Sequence, residues 1–257
     1  MIDVVVAGYP KSGTTWVVQL VAELIGGPVV GFWDSGHDEI AREGLDRRSE
    51  FRCFKSHHQL GELRAAQSLR DTALIYVIRD PRDVAISAAH YFRVTRWPSV
   101  AALFCPTLRR LYRSVTTNVA PAPIGYRVAR MVDAVLYGSN SVHHWMRVPW
   151  KAHYEPFVAS RRFWLRYEDL LAEPERQSAR ILSYLECDRS RREIRDVVER
   201  QSFGQRRDAA MRIGDSRRIK HMRDGTSGQW RRHLTPEQLG LFRDVLADDL
   251  QYFGYPL

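Results

Sequence analysis

Residues 4–16 read VVVAGYPKSGTTW and gather two glycines, a lysine and three serine or threonine hydroxyls into one short stretch. Gly8 and Gly13 keep the glycine spacing of the nucleotide-binding pattern G-x-x-x-x-G-K-[ST]. The lysine, however, is Lys11, two residues before Gly13 instead of directly after it. The backbone amides of Ser12, Gly13, Thr14 and Thr15 are expected to point into a concavity at a helix N-terminus, where the helix dipole adds partial positive charge. The hydroxyls of Ser12, Thr14 and Thr15 can donate there too. Such a loop suits a phosphate-like anion, with Lys11 at the outer end of a short anionic group rather than curled over a nucleoside triphosphate.

Two further stretches could do chemistry. In FKSHH, residues 54–58, Lys55 and His57 stand two apart, so in a strand they share a face. His57 can take the proton of an attacking hydroxyl, because an ordinary imidazole pKa of ~6.5 suits a base near neutrality. Lys55 can stabilise negative charge that grows on a transferred group. His58 faces the other way in a regular strand, though a bulge at the strand end would exchange the two. In IRDPRDVAISAAHYF, residues 78–92, Arg79 ends an apolar strand, where open α/β sheets place their ligands, and Ser87 follows within the next helix. An arginine and a hydroxyl can clamp a phosphate dianion. Arg79 could equally be the ion-pair partner of Asp80 or Asp83.

Taken together, these motifs resemble the cytosolic-type sulfotransferases, which use 3′-phosphoadenosine-5′-phosphosulfate (PAPS). YPKSGTTW resembles their 5′-phosphosulfate loop, IRDPRDVAISAAHYF their 3′-phosphate segment, and MRDGTSGQW, residues 222–230, their C-terminal R-K-G-x-x-G-x-W motif. The resemblance runs from about residue 4 to 254 and is poor over 96–138. It implies that Lys11, Ser12, Gly13, Thr14 and Thr15 hold the phosphosulfate. Arg79 and Ser87, with the Arg223-Asp224-Gly225 segment, hold the 3′-phosphate. Trp16, Tyr167 and Phe203 flank the adenine, and His57, Lys11 and Lys55 carry the chemistry. The implied reaction is transfer of a sulfuryl group to a hydroxyl of a small acceptor, with release of PAP. No metal is implied, since lysine and amide dipoles take the role that magnesium has in kinases.

Two positions depart from the family pattern. Asp224 replaces a cation beside a phosphate site and is expected to face solvent, with Arg217, Arg218 or Lys220 supplying the charge. Gln201 stands where the family has a threonine near the adenine. The family's short C-terminal dimer motif is missing, so the oligomeric state is left open.

The elements that must position these residues alternate between strand and helix. Strands are expected at 3–8, 51–57, 72–80 (continuously apolar and so central) and 161–169, with helices at 81–94, roughly 139–150 and 175–186. Trp16, Val17, Leu20, Val21 and Leu24 recur at helical spacing, and Gly26-Gly27-Pro28 stops that helix. Thr235-Pro236-Glu237-Gln238 opens a C-terminal helix with a capping box and proline at N1, and Leu239, Phe242, Leu246 and Leu250 form its apolar stripe. Such alternation predicts one α/β domain over 1–257, a central parallel sheet flanked by helices with P-loop-NTPase-like topology. Residues 96–138 read as a helical insertion, either core filler or a lid over the acceptor. His143, His144, Trp145 and Trp150 after it are expected to shape an acceptor pocket, and such aromatics favour an apolar or aromatic alcohol.

Bulk properties narrow the alternatives. The 257 residues are 44% hydrophobic with a formal charge of +9, which suits an anionic partner. No apolar run is long enough for a membrane span. Cys53, Cys105 and Cys187 match no metal spacing, and with no cleavable leader a reducing, cytoplasmic setting fits best. A P-loop kinase would need the glycine-lysine ending that is absent here, and a magnesium-binding Asp for which Asp80, between Arg79 and Pro81, is a poor match. A basic nucleic-acid-binding domain would fit the charge, but no motif for one is found, so no nucleic-acid partner is expected.

Overall fold

Strand β1 (Ile2–Gly8) is the β-branched run at the start of the chain, and it is buried from Val4 onward. The structure, a computed structural model, describes residues 1–33, 42–66, 72–92, 94, 122–222 and 224–257. These divide into two compact units, one of residues 1–80 with 151–228 and the other of residues 81–150 with 229–257.

The first unit holds a five-stranded parallel sheet. Its strands β2 (Val29–Phe32), β3 (Phe51–Ser56), β4 (Thr72–Ile78) and β5 (Phe163–Arg166) lie in the order β2-β3-β1-β4-β5. β1 pairs with β3 in the register Val6↔Lys55 and with β4 in the register Val6↔Ile75. The middle strand is therefore β1. β4, read as central, is interior but one place over, between β1 and β5. Both are interior strands with buried side chains, which is why they read as continuous apolar runs.

Helix α1 (Thr14–Leu24) covers one face. Its Val17, Val18, Leu20, Val21 and Leu24 join Val4, Val6, Cys53, Ile75, Val77 and Leu165 of the strands in one buried cluster. Each such aliphatic contributes roughly 1.5–3 kcal/mol on burial. That far exceeds the ~1 kcal/mol of an N-cap side chain. Packing thus allows α1 to begin at Gly13 with no side-chain cap and no acidic residue in its first turn. Gly26, at φ 66°, ends the helix as expected. On the opposite face, helix α5 (Trp150–Ala159) brings Phe157 into a stack on Tyr76 of β4, with ring centroids 4.2 Å apart. Among the described residues, the remaining helices of this unit are α2 (Leu60–Ala66), α6 (Tyr167–Ala172), α7 (Pro174–Tyr184), α8 (Arg191–Arg200), α9 (Phe203–Arg212) and α10 (Ser216–His221). α7 and α8 extend the cluster under α1 through Ile181, Leu182, Ile194 and Val197.

The second unit is helical among its described residues. α3 (Pro81–Tyr91) packs on α4 (Ile124–Tyr137), tied by Arg127 donating to the Ala89 carbonyl at 2.7 Å. Trp230, in the short helix α11 (Trp230–His233), has the guanidinium groups of Arg82 and Arg231 over its ring at 3.9 and 4.3 Å, and its amide donates to Asp83. α12 (Pro236–Tyr252) has the expected capping box and proline at N1, and it buries Phe242, Leu246 and Leu250.

Several expectations need correction. The four-residue strand β2 was not anticipated. The strand expected over 161–169 is only Phe163–Arg166, and Tyr167 already begins a helix. No helix spans 139–150: α4 ends at Gly138, φ 79°, where an added β-carbon would lie 2.4 Å from the Arg147 carbonyl oxygen. Ser139 and Ser141 then hold a turn through their hydroxyls, and only a 3-10 turn at His144–Met146 precedes α5. Short polar side chains favour such turns over helix interiors. Of the insertion expected over 96–138, residues 96–121 lie outside the described residues, and the rest contains α4.

Candidate active site

Gly8 ends β1, and the loop from Tyr9 to Gly13 turns into α1. Two left-handed positions, Lys11 at φ 71° and Gly13 at φ 91°, shape it. A left-handed lysine is strained by about 1 kcal/mol or more, a cost that functional loops commonly carry. Both glycines are sterically required. A β-carbon on Gly8 would lie 2.8 Å from the Val77 carbonyl oxygen, and one on Gly13 would lie 2.5 Å from the Tyr167 ring.

One expectation about the loop is not met. The Ser12 amide does not join the concavity, because it closes a turn onto the Tyr9 carbonyl at 3.0 Å. The first intrahelical bond runs from Val17 to Gly13, so the donors left at the helix start are the amides of Gly13, Thr14, Thr15 and Trp16. Ser12 Oγ is fully buried and has no hydrogen-bond partner among the described residues. A buried hydroxyl without a partner costs free energy unless a ligand supplies one. The cradle therefore fits an anion at this helix start.

Arg79, at the end of β4, binds the loop from behind. It donates to the Lys11 carbonyl at 3.1 Å and to the Thr226 carbonyl at 3.2 Å, and its guanidinium lies 4.4 Å from the Tyr167 ring centre. Two carbonyls and a ring thus hold it. Asp80 is buried, and its amide donates to Glu168. Gly225, φ 66°, lies so close to Phe203 that a β-carbon would stand 2.3 Å from that ring. Asp224 is exposed, and Arg218 pairs with Asp215 at 3.3 Å. Arg223 lies outside the described residues. Ser87 is half-buried on α3 in the second unit.

Trp16 meets Tyr167 edge-on at 5.7 Å and donates its indole N–H to the Gln201 carbonyl at 2.8 Å. Tyr167 is itself buried under Gly13 and Arg79, so it serves as a floor for the loop. The Gln201 side chain donates to Glu23.

Lys55 and His57 leave the end of β3, with Lys55 buried and His57 partly open to solvent. His57 Nδ1 lies 2.8 Å from the Gly8 carbonyl oxygen. A carbonyl only accepts, so Nδ1 carries the hydrogen and Nε2 keeps its lone pair. Dense packing around the ring, followed by the charge of Lys55, holds the His57 pKa well below the usual histidine range. The ring is therefore a neutral base at physiological pH. His58 instead engages Ser56 Oγ at 3.0 Å. Phe32 sits 5.7 Å from both imidazoles, an apolar wall beside the base.

In the second unit, Phe92, His143, His144 and Trp145 form a run of ring contacts with centroids 4.5, 4.4 and 4.8 Å apart. Trp150, also expected there, is packed inside the same unit. It is 1% exposed and meets Phe253 edge-on.

Comparison with known proteins now decides the family. The sequence model of the sulfotransferase domain matches residues 28–254. The chain belongs to the sulfotransferase-domain family. Sulfotransferase 1B1 of Canis lupus familiaris is 24% identical over 264 residues, covering 92% of this chain and 79% of the relative. Mouse sulfotransferase SULT7A1, solved in complex with PAP, superposes with a TM-score of 0.69 at 19% identity, covering 97% of this chain and 85% of the other. Retinol dehydratase, solved with androsterone and the inactive cofactor PAP, superposes at 0.63 and 20% identity, covering 96% and 80%. At these identities the structural likeness establishes the sulfotransferase α/β fold, which is P-loop-NTPase-like. As a member of the family the chain is a sulfuryl transferase, and the kinase alternative is not favoured. Among the described residues no helix is long and apolar enough to cross a membrane.

His153, Tyr76 and the Gly8 carbonyl, all within hydrogen-bonding reach of His57 or its neighbours, escaped the sequence reading. The four-residue spacing of His153 and Phe157 could have signalled a shared helix face, but no helix was expected there. Their partners on β3 and β4 were not.

Proposed function

We propose that this sulfotransferase moves the sulfuryl group of PAPS to the hydroxyl of a small, apolar or aromatic acceptor. The observation that carries the reading is the bond from His57 to Gly8, which ties the candidate base to the first residue of the anion cradle. PAPS supplies an electrophilic sulfur on a phosphate leaving group.

The residues divide the work. His57 Nε2 takes the acceptor's hydroxyl proton as the new oxygen–sulfur bond forms and the bond from sulfur to the bridging phosphate oxygen breaks. Lys11 offsets charge on that bridging oxygen. Lys55 and the amides of Gly13, Thr14 and Thr15 stabilise the sulfonate and 5′-phosphate oxygens, and Ser12 Oγ is available to the same anion. Arg79 and the Gly225 amide are assigned to the 3′-phosphate, and the sequence resemblance adds Arg223. Trp16 and Phe203 are assigned to the adenine. The work is mainly positioning and charge stabilisation, as in phosphoryl transfer. Phe32 against His57 supports an apolar acceptor.

The test is incubation of the purified chain with PAPS and a panel of phenols, aliphatic alcohols and sugars, read by mass spectrometry. Sulfated phenols or apolar alcohols with matching PAP release are expected. Transfer of phosphate from ATP, with no sulfated product from any acceptor, would overturn the reading.

A further inference from the structure

The peptide group joining Gly8 to Tyr9 is bonded at both ends. Its carbonyl accepts from His57 Nδ1 at 2.8 Å, and its N–H donates to the hydroxyl oxygen of Tyr76. Tyr76 Oη lies 2.7 Å from His153 Nδ1, and His153 Nε2 lies 2.9 Å from the backbone carbonyl of His57. The bonds therefore close a ring: one peptide of the loop, then Tyr76, then His153, then back to the residue assigned as base.

The direction of each bond follows from chemistry. The His57 carbonyl can only accept, so His153 Nε2 carries the hydrogen. His153 is 1% exposed, faces no carboxylate in these contacts, and meets Tyr9 edge-on and Phe157 in a stack, so burial keeps it neutral. Its Nδ1 is then bare and accepts from the Tyr76 hydroxyl. Tyr76 in turn receives the Tyr9 amide on its oxygen. Every donor points one way around the ring, and bonds arranged so polarise one another. Donation by the Tyr9 N–H makes the Gly8 carbonyl a better acceptor for His57 Nδ1–H, which leaves more electron density on Nε2.

We propose that His153 and Tyr76 are positioning residues for His57: they fix its backbone from behind and, through the shared Gly8–Tyr9 peptide, hold its ring with Nε2 as the proton acceptor. This rests on the assignment of His57 as the base. Neither residue touches the reacting atoms.

The experiment compares His153→Leu, His153→Gln and Tyr76→Phe with the parent chain. The readouts are kcat and KM for a sulfated acceptor, PAP binding by calorimetry, and the 15N shifts of His57. His153→Leu keeps the bulk and removes both bonds. We expect kcat to fall roughly 10- to 100-fold, the scale of a small misplacement of a catalytic group, with PAP affinity and the KM for PAPS unchanged. Glutamine can offer its Nε2–H to the His57 carbonyl and should restore much of the loss. Tyr76→Phe keeps the stack on Phe157 and should lower kcat in the same direction. It should also shift the His57 nitrogens toward a mixture of tautomers. Should His153→Leu not fold, Tyr76→Phe carries the test alone.

Parent-like kcat in a PAP-binding His153→Leu or Tyr76→Phe chain would overturn the proposal. So would a glutamine variant no better than leucine, or losses that fall equally on PAP binding. Near-normal turnover in His57→Ala would instead sink the base assignment, which separates the two failures.

Discussion

The ring of Tyr167 occupies the space where a side chain on residue 13 would begin, with Cδ2 and Cε2 2.5 and 2.6 Å from an ideal β-carbon on Gly13. Gly13→Ala therefore meets a wall as well as a left-handed backbone. We expect it to destabilise the chain by about 1–3 kcal/mol and to weaken PAP binding. Thermal unfolding and calorimetry would read both. The double variant with Tyr167→Ala removes the wall but not the backbone strain, so it should recover only part of the affinity.

Arg79 shares its guanidinium between the carbonyls of Lys11 and Thr226. Lysine cannot span two such acceptors with a planar fork. Arg79→Lys should weaken PAP binding about 10- to 100-fold, the range of a charge-assisted bond. Adenosine 5′-phosphosulfate, which lacks the 3′-phosphate, should lose much less. Equal losses for both ligands would make Arg79 a loop support only.

His57→Ala should cut turnover by about 10²–10⁴-fold, the usual contribution of a general base, and leave PAP binding intact. In the unliganded parent chain, nitrogen NMR at pH 6 should find His57 neutral with the hydrogen on Nδ1, as the Gly8 bond and the lowered pKa require.

Stability should fall as pH drops below about 6.5. Burial lowers His153 and His143 to about 4, and His57 moves in the same direction. In the unfolded chain these groups bind protons near their ordinary pKa, so between pH 6.5 and 4 the unfolded state holds more protons. The stabilisation is complete above that interval and is lost on descending through it. The share of His153 is about 3 kcal/mol at most, from the full difference of pKa between the two states. Urea midpoints at pH 7.5, 6 and 5 would read the slope. Carboxylates titrate mainly below ~4.5, so this interval isolates the histidines. The slope should be shallower in His153→Gln.

Thr235→Ala should cost ~1 kcal/mol of stability without changing kcat. It removes the capping box of α12, in which the Thr235 hydroxyl accepts from the Gln238 amide and the Gln238 side chain accepts from the Thr235 amide. Chemical denaturation with a parallel activity assay would check both halves.

The parts of this protein legible in its sequence are those set by short-range chemistry. The β-branched run of β1, the glycine spacing of the loop, the apolar stripe of α1 and the capping box of α12 each reflect interactions within a few residues. β2 was missed because four residues with a glycine and a register shift carry no alternation. The stretch after Gly138 was read as helical, but the positive-φ glycine and the serine hydroxyls decide otherwise. The candidate base and cradle were proposed from residue type and family resemblance, while the turn that consumes the Ser12 amide is a backbone detail that no side chain announces. His153 was invisible for another reason: its partners Tyr76 and His57 lie 77 and 96 residues away, and only the pairing of strands brings them together.

The Gly8–Tyr9 peptide bears on how the protein can be rebuilt. One amide plane meets the ring of His57 on one edge and the hydroxyl of Tyr76 on the other. Anyone grafting a foreign anion loop into this scaffold would tilt that plane and detune an imidazole far along the chain. Positions 8, 9, 57, 76 and 153 are bonded to one another and are best exchanged together or left alone.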